Sequence, residues 1–215
     1  QTFIPLATLF AGSLLGLLDD MLQIFPPKSL RGDPIQFRYI KLFIITVLGA
    51  LVGWWLYTKL GINSIHIPFD GILFIGPAFI AFFVLITLGV FSTSVIDGVD
   101  GLSGGILAAI FGAYAIIALW QDKIDLAAFC AVVSGATLAF LWFNITPARF
   151  YMGETGMMGL TLTLSTVAFL TDTVLLLPVI AFPLFVTSLS DIIQMTSKKL
   201  RKGKRVFVVA PLHHH

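Results

Sequence analysis

The sequence is poor in charge and in cysteine. Only 11% of its 215 residues are charged and 58% are hydrophobic, whereas about 25% charged residues are usual in a soluble domain. The scarcity of charge and the apolar bulk exclude a disordered chain, a nucleic-acid-binding arm and an ordinary cytosolic domain. The single cysteine, Cys130, excludes a disulfide framework within the chain. A soluble fold of this size cannot bury so much apolar surface, so we expect the chain to lie in lipid.

Two further features are missing from the amino terminus. The sequence has no initiator methionine and no signal peptide with a basic leading region. It begins at Gln1, almost inside an apolar run, and it stops at three histidines. No repeat or linker divides it, so we expect residues 1–215 to form one integral membrane domain that is part of a longer protein.

Long apolar runs dominate what is present. A membrane-spanning helix needs about 20 mostly apolar residues. Seven runs are candidates: 3–18, 42–58, 71–91, 104–120, 126–143, 156–170 and 174–195. Helices are expected because lipid offers the backbone no hydrogen-bond partner, and the alternation typical of a membrane barrel is absent. We therefore predict an all-α polytopic membrane protein with about seven transmembrane helices, the last one kinked at Pro178 and Pro183.

Basic residues gather on one side of this predicted topology. One side receives the segments 19–41, 92–103, 144–155 and 196–215. Its basic residues are Lys28, Arg31, Arg38, Lys41, Arg149, Lys198, Lys199, Arg201, Lys202, Lys204 and Arg205. The other side has only Lys59 and Lys123. The positive-inside rule predicts that the first side faces the cytoplasm.

Acidic residues gather on the same side, at or just beyond the helix ends. They are Asp19, Asp20, Asp33, Asp97, Asp100 and Glu154. An acid at the bilayer centre costs at least about 2.5–3.5 kcal/mol and usually marks an ion path. No apolar run carries a charge near its middle, which counts against an ion-coupled transporter. We expect the polar chemistry to lie at one membrane surface.

Two adjacent acids, Asp19 and Asp20, end the first run. The helix dipole disfavours negative charge at a carboxyl end, so we expect a compensating cation. Carboxylates that face phosphate-rich headgroups suit Mg²⁺ or a shared proton. The alternative is that two acids simply end a helix at the membrane interface.

Two connecting segments carry further polar motifs. Asp97-Gly98 and Asp100-Gly101 are Asp-Gly steps three residues apart, which indicate consecutive turns with close backbone approach. The segment 144–156 combines an amide, a cation, two aromatic rings and Glu154 between glycines. That mixture would suit base stacking beside a metal-held phosphate. The alternatives are a plain helix–helix turn and an interfacial aromatic belt.

The carboxyl end is basic and then rich in histidine. Lys198 to Arg205 is a basic run, and Pro211-Leu212 precedes His213, His214 and His215. The basic run is also typical of an anchor for anionic lipid. The three histidines taken alone are also compatible with an expression tag.

Together these stretches resemble the polyprenyl-phosphate N-acetylhexosamine-1-phosphate transferase family in order, spacing and side. The resemblance rests on Asp19-Asp20, the segment 97–102, the segment 144–156 and the segment 204–215. The Pro-Leu-His-His-His motif is similar to the branch that uses the muramoyl-pentapeptide donor, and this context favours a native motif over a tag. Members of the family have about ten membrane helices, so the resemblance implies that terminal helices are missing.

The resemblance implies a reaction and two substrates. Phospho-N-acetylmuramoyl-pentapeptide would pass from its UDP donor to undecaprenyl phosphate, which gives lipid I and UMP and depends on Mg²⁺. The site would face the cytoplasm from the bacterial inner membrane. The other expected partners are the lipid bilayer and a second copy of the chain, whereas no nucleic acid is expected.

Residue roles follow from the same resemblance. Asp19 would deprotonate or orient the lipid phosphate with Asp20 in support, and Glu154 would bind the metal together with Asp19. The remaining residues would bind substrate. Lys41 would attract phosphate, and Lys28 is a weaker match for the same role. Asp97, Asp100 and Tyr151 would bind the nucleotide. Asn144, His213, His214 and His215 would contact the diphosphate and sugar, and His213 is also counted among the catalytic residues.

Three positions depart from the family pattern. Gln23 replaces a lysine, Ser94 replaces an asparagine, and Glu154 is one methylene longer than the usual aspartate. Two alternatives to the primary prediction stay open, namely a transferase of another UDP sugar and a catalytically inactive scaffold, which the departures favour. A transporter would explain the apolar runs, but not the polar motifs on one face.

Overall fold

The structure is a computed structural model that describes residues 3–25, 34–67, 71–201 and 206, without the side chains of 34–38 and 95. Within these ranges the chain is mostly helical. Its α-helices are α1 (Phe3–Ile24), α2 (Pro34–Lys59), α3 (Ala78–Phe91), α4 (Leu102–Trp120), α5 (Ile124–Asn144), α6 (Gly153–Leu170), α7 (Leu177–Ile180) and α8 (Phe182–Leu200). Two short 3₁₀ helices cover Ser92–Ile96 and Val174–Leu176.

Four of these helices are long and apolar enough to cross a membrane. They are α1, the Tyr39–Lys59 part of α2, α4 and α5, and the bent pair α7–α8 would make a fifth. The segment Ala78–Ser94 is apolar but shorter. The polytopic helical prediction is confirmed in this coarser form, whereas seven spanning helices are not confirmed within the described residues.

One predicted helical run begins with the second strand of a β-hairpin. Strand β1 (Ser64–Ile67) pairs antiparallel with β2 (Gly71–Phe74), with Ser64 opposite Phe74 and Ile67 opposite Gly71. The prediction of one helical run over 71–91 is therefore wrong at its start, because α3 begins only at Ala78. A short apolar run does not distinguish a strand from a buried helix.

The predicted kink in the last run is present. The segments Val174–Ile180 and Phe182–Leu200 meet at an angle of 84°. Pro178 and Pro183 each lie in the first turn of a helix. A first-turn proline removes no intrahelical hydrogen bond, so each proline begins a helix and the chain turns between the two.

Helix α6 forms the centre of the described fold. Every residue from Met157 to Leu170 is buried, and the helix packs mainly against α1 and α3. Four hydroxyls, those of Thr161, Thr163, Ser165 and Thr166, donate to the carbonyl four residues earlier. The polar atoms are therefore paired within the helix, which lets it lie inside the protein. Helix α6 is not one of the candidate spans.

Glycines allow α1 and α6 to cross at close range. A Cβ atom at Gly12 would lie 2.9 Å from the Cα of Gly159, and one at Gly16 would collide with the carbonyl of Glu154. Two small residues four positions apart are a common device for close helix contact in membranes. The crossing brings Asp19 and Asp20, about one turn after Gly16, beside the amino end of α6.

Candidate active site

Three helix ends meet at a cluster of charged side chains. Lys41 of α2 lies between Asp19 of α1 and Glu154 of α6, with its Nζ 2.8 Å from Asp19 Oδ2 and 2.7 Å from Glu154 Oε1. The same ammonium group lies 5.8 Å from the centre of the Phe91 ring. Lys41 supplies the cation that acids at the end of α1 require, and it links three helices that are distant in sequence.

Asp19 uses only one of its oxygens for these contacts. Gln23, one helical turn later, donates from Nε2 to the same Oδ2 atom at 2.9 Å. Among the described residues, no hydrogen bond or ion pair uses Oδ1 of Asp19. The neutral Gln23 thus contacts the acid directly at the position where the family pattern has a lysine.

Asp20 faces a different partner from its neighbour. It accepts the backbone N–H of Glu154 at 3.3 Å through Oδ1 and that of Thr155 at 3.0 Å through Oδ2. The hydroxyl of Thr155 also donates to Oδ2, at 2.6 Å. Both oxygens of Asp20 are therefore engaged by the first turn of α6.

Asp97 joins the Asp-Gly segment to the same helix end. Its Oδ2 accepts the N–H of Gly153 at 2.8 Å, and its Oδ1 accepts the Ser103 hydroxyl at 2.7 Å. Gly153 has a φ of +66°, which favours glycine at this position. Asp97 and Asp20 therefore bind consecutive amides at the start of α6.

Asp100 holds the aromatic part of the neighbouring segment. The Tyr151 hydroxyl donates to Asp100 Oδ1 at 2.6 Å and the Ala148 N–H donates to Oδ2 at 3.1 Å. The bond from Tyr151, and then that from Ala148, lower the pKa of the Asp100 carboxyl. The same bond to Asp100 raises the pKa of Tyr151, and the Tyr151 ring is about half exposed at 48%.

Asn144, at the end of α5, forms hydrogen bonds with both the Asp-Gly segment and the segment that contains Tyr151. Its side chain is fully buried, accepts the Gly101 N–H at 3.0 Å and donates to the Phe150 carbonyl at 3.0 Å. Gly101 has a φ of +76°, so the amide is presented by a turn that favours glycine. Asn144 therefore contacts backbone groups of both segments.

The donor set of the cluster is suited to a hard divalent cation. Oε2 of Glu154 is buried and has no hydrogen-bond partner, while Oε1 shares Lys41 with Asp19. The described residues hold no group of three or more acidic, histidine or cysteine side chains arranged for a metal. Mg²⁺ is often bound by one or two carboxylates plus substrate phosphates, so Asp19 and Glu154 are the residues that could hold such an ion.

The structure brings most of the predicted site residues together. Asp19, Asp20, Lys41, Asp97, Asp100, Asn144, Tyr151 and Glu154 lie on four helices and two connecting segments, which direct contacts join into one site. Lys28 and His213 to His215 lie outside the described residues. The functional roles of all these residues stay predictions.

Four contacts were not predicted from the sequence. Gln23 and Ser103 each bind a predicted site acid, Thr155 binds Asp20, and Gly16 admits α6. The spacing of Gly12 and Gly16 is the pattern that could have indicated the close crossing. The partners of Gln23 and Thr155 carry no comparable pattern, because a side-chain hydrogen bond depends on which helices meet.

The chain is similar over nearly its full length to named enzymes. Phospho-N-acetylmuramoyl-pentapeptide-transferase of Geobacillus thermodenitrificans strain NG80-2 is 38% identical over 217 residues, which cover 100% of this chain and 65% of that protein. The Chloroflexus aurantiacus protein of the same name, from strain J-10-fl, is 35% identical over 224 residues, with 99% and 61% covered. The chain thus spans less than two thirds of the length of these relatives.

A family model also matches most of this chain. The model described as glycosyl transferase family 4 matches residues 2–172. This range includes α1 to α6 and the predicted site residues from Asp19 to Glu154. The chain therefore belongs to glycosyl transferase family 4.

Proposed function

We propose that this chain forms the active-site face of a Mg²⁺-dependent phospho-N-acetylmuramoyl-pentapeptide transferase. The observation that carries the proposal is the cluster of Asp19, Lys41 and Glu154 at the ends of three helices, two of which are long enough to span a membrane. A water-soluble diphosphate donor and a phosphate on a lipid can meet only at such a surface. The name shared by the relatives supports the choice of donor.

The proposed reaction exchanges one phosphoanhydride (P–O–P) bond for another. An oxygen of undecaprenyl phosphate attacks the β-phosphorus of the UDP-linked sugar, and a new P–O bond forms. The bond between that phosphorus and the bridging oxygen breaks, which releases UMP and leaves lipid I. Phosphoryl transfer depends mainly on positioning and on neutralising charge, which suits a site built from fixed carboxylates and one lysine.

Asp19 and Lys41 serve the lipid phosphate in this proposal. The Oδ1 atom of Asp19, which has no partner among the described residues, would orient the incoming phosphate or accept its proton. Lys41, whose side chain is 15% exposed, would attract the phosphate electrostatically. Gln23 keeps Asp19 in place without adding a second positive charge.

The segments around Asp97 and Asn144 serve the nucleotide. The exposed face of Tyr151, which Asp100 holds in place, would stack on uracil. Asn144 and Asp97 shape the pocket through their bonds to Gly101, Phe150 and Gly153. His213, His214 and His215 are proposed to contact the diphosphate and sugar.

Glu154 and Asp19 are the residues that would hold Mg²⁺. Bound there, the ion would neutralise phosphate charge and help to align the donor. Glu154 brings a buried oxygen that is unpartnered in the structure. We further propose that this face points to the cytoplasm from the inner membrane and that two copies of the chain associate.

The test is UMP release by the complete protein in detergent with undecaprenyl phosphate. UDP-N-acetylmuramoyl-pentapeptide and UDP-N-acetylglucosamine would be compared as donors, each with Mg²⁺ or with EDTA. We expect metal-dependent release from the pentapeptide donor and a loss of about 10²–10⁴-fold in Asp19→Asn. Asp125→Asn, an exposed acid of the first turn of α5, is the matched control and should keep full activity.

Two results would contradict the proposal. Release from the simpler donor alone would assign the chain to a transferase of another sugar, which is the second candidate within the same chemistry. No release from either donor by a folded protein would favour an inactive scaffold and would direct attention to Gln23, Ser94 and Glu154.

A further inference from the structure

The first turn of α6 is capped by residues from other parts of the chain. The first N–H groups of a helix have no partner within that helix. The residue before α6, Met152, makes no side-chain capping bond. Instead, Asp97 accepts the N–H of Gly153, and Asp20 accepts those of Glu154 and Thr155.

Both carboxylate oxygens of Asp20 take part in this contact, and the neighbouring backbone leaves room for them. Its two oxygens receive three bonds from Glu154 and Thr155, between 2.6 and 3.3 Å long. A Cβ atom at Gly153 would lie only 3.2 Å from Asp20 Oδ2, so the glycine leaves room for the carboxylate. The Gly16 crossing brings α1 close enough for a side chain as short as aspartate to reach.

We propose that Asp20 is a positioning residue that caps α6 from α1 and thereby fixes Glu154. The inference rests on the proposed function, in which Glu154 contributes its carboxylate to the site. Asp20 binds the backbone N–H of Glu154 itself, so it fixes the point from which that side chain extends. The negative charge of the cap also matches the positive end of the helix dipole.

This assignment gives different roles to the adjacent aspartates Asp19 and Asp20. Asp19 is buried but keeps Oδ1 free of protein partners among the described residues. Asp20 directs both oxygens at backbone and hydroxyl groups of α6. Asp20 therefore acts through Glu154, and the sequence prediction that places it among the catalytic residues is revised by this proposal.

The first experiment needs no substrate. Hydrogen–deuterium exchange of the complete protein in detergent would follow the amides of Gly153 to Thr155 in wild type, Asp20→Ala, Asp20→Asn and Asp19→Asn. Loss of a helix cap raises local opening, so we expect exchange about tenfold faster in Asp20→Ala. Asp20→Asn retains one oxygen acceptor, so its exchange rate should lie between those of wild type and Asp20→Ala. Asp19→Asn should exchange at the wild-type rate at these amides.

Unchanged exchange in Asp20→Ala would overturn the capping role. Asp20→Ala could fail to fold, so Thr155→Val, which removes the 2.6 Å hydroxyl bond and keeps the backbone, provides a milder variant. Thr155→Ser is its matched control, because it retains the hydroxyl. Exchange at Glu154 and Thr155 that is equally slow in Thr155→Val and Thr155→Ser would also count against the proposal.

The second experiment tests whether Asp20 acts through Glu154. The kcat for UMP release would be measured for Asp20→Asn, Glu154→Asp and the double variant. We expect the double variant to lose several-fold less than the product of the two single losses, because both changes affect one unit. We also expect the KM for the UDP donor to stay within about twofold in Asp20→Asn.

Fully multiplicative losses would overturn the link to Glu154 and indicate that Asp20 acts on substrate independently. A complete protein that releases no UMP would contradict the proposed function instead. In that case the exchange experiment still decides whether Asp20 caps α6, so the two failures remain distinguishable.

Discussion

The two ends of α6 are held by neighbouring parts of the fold in opposite ways. At the amino end, the carboxylates of Asp20 and Asp97 accept backbone N–H groups. At the carboxyl end, Lys123 Nζ donates to the Leu170 carbonyl at 2.7 Å, and Gln121 Nε2 donates to that of Thr171 at 2.8 Å. In each case the charge matches the helix dipole.

The difference between the ends lies in the polar atoms that are left over. At the carboxyl end, Lys123 also donates to Gln121 at 2.8 Å, so these two side chains bind each other as well as the helix carbonyls and form a closed cluster. At the amino end, Glu154 Oε2 and Asp19 Oδ1 have no protein partner among the described residues. Buried polar groups are normally paired, so an unpaired oxygen in a charged cluster indicates a ligand, whereas a closed cluster indicates support for the fold.

Within this comparison, the largest effect should follow from neutralising Glu154, the amino-end acid that has one unpaired oxygen. Glu154→Gln keeps the size of the side chain but removes the charge opposite Lys41, and we expect kcat to fall by about 10²–10³-fold. UMP release at saturating donor measures this. The thermal midpoint should stay close to wild type, since the caps of α6 are untouched. Full activity in Glu154→Gln would remove Glu154 from the site.

Separating α1 from α6 should affect both stability and activity. In Gly16→Ala the added Cβ collides with the Glu154 carbonyl, so the helices must move apart. Overpacking of this kind costs about 1–3 kcal/mol, and a displacement of about 1 Å at a reacting group can cost 10²-fold in rate.

The control for that variant is also a helical glycine. A Cβ at Gly89 of α3 would meet no atom within 4 Å, so Gly89→Ala should leave both the thermal midpoint and UMP release near wild type. Equal behaviour of the two variants would show that the close crossing has no bearing on the site.

At the carboxyl end we expect a change in stability without a change in chemistry. Lys123→Met keeps the apolar stem but leaves the Leu170 carbonyl without its donor, and the free energy of unfolding should fall by about 1–3 kcal/mol. Thermal unfolding in detergent measures this, and kcat should remain within about twofold of wild type. A loss of kcat as large as that of Glu154→Gln would abolish the distinction between the two ends.

The sequence predicts that the acids lie on one face, but it does not predict which groups each acid contacts. Asp19, Asp97, Asp100 and Glu154 follow or precede apolar runs, and alternation of the loops across a membrane already puts them on one face. The structure joins them through direct contacts. Which atom of each acid is engaged could not be predicted, because it depends on the distance between helices that are far apart in sequence.

Two parts of the fold could not be read from hydrophobicity. The stretch around Gly71–Phe74 is as apolar as a helix, yet it pairs with Ser64–Ile67 as a hairpin. Helix α6 is not one of the candidate spans but is the most completely buried helix among the described residues. Its threonines pair with their own helix, and such local pairing leaves no trace in a hydropathy profile.

The smallest expected effect concerns the aromatic side chain of the amino-end cluster. The Asp100 bond, assisted by the nearby charge of Asp97, raises the pKa of Tyr151. Asp100→Ala should bring that pKa back towards 10, which the ultraviolet absorbance of tyrosinate measures, with Tyr151→Phe to assign the signal among the four tyrosines.

The sign of the stability change follows from the same two shifts. Tyr151 holds its proton more tightly in the folded protein, so its contribution is complete below pH 10 and is lost as the pH rises through the raised pKa. Asp100 has a lowered pKa, so its contribution is present above about pH 4 and is lost as the pH falls through the lowered value. Wild type and Asp100→Ala should therefore differ most at neutral pH and converge at both extremes. A difference between them that stays constant from acid to alkaline pH would show that the two side chains are not coupled, and the amino end of α6 would then hold its aromatic ring by packing alone.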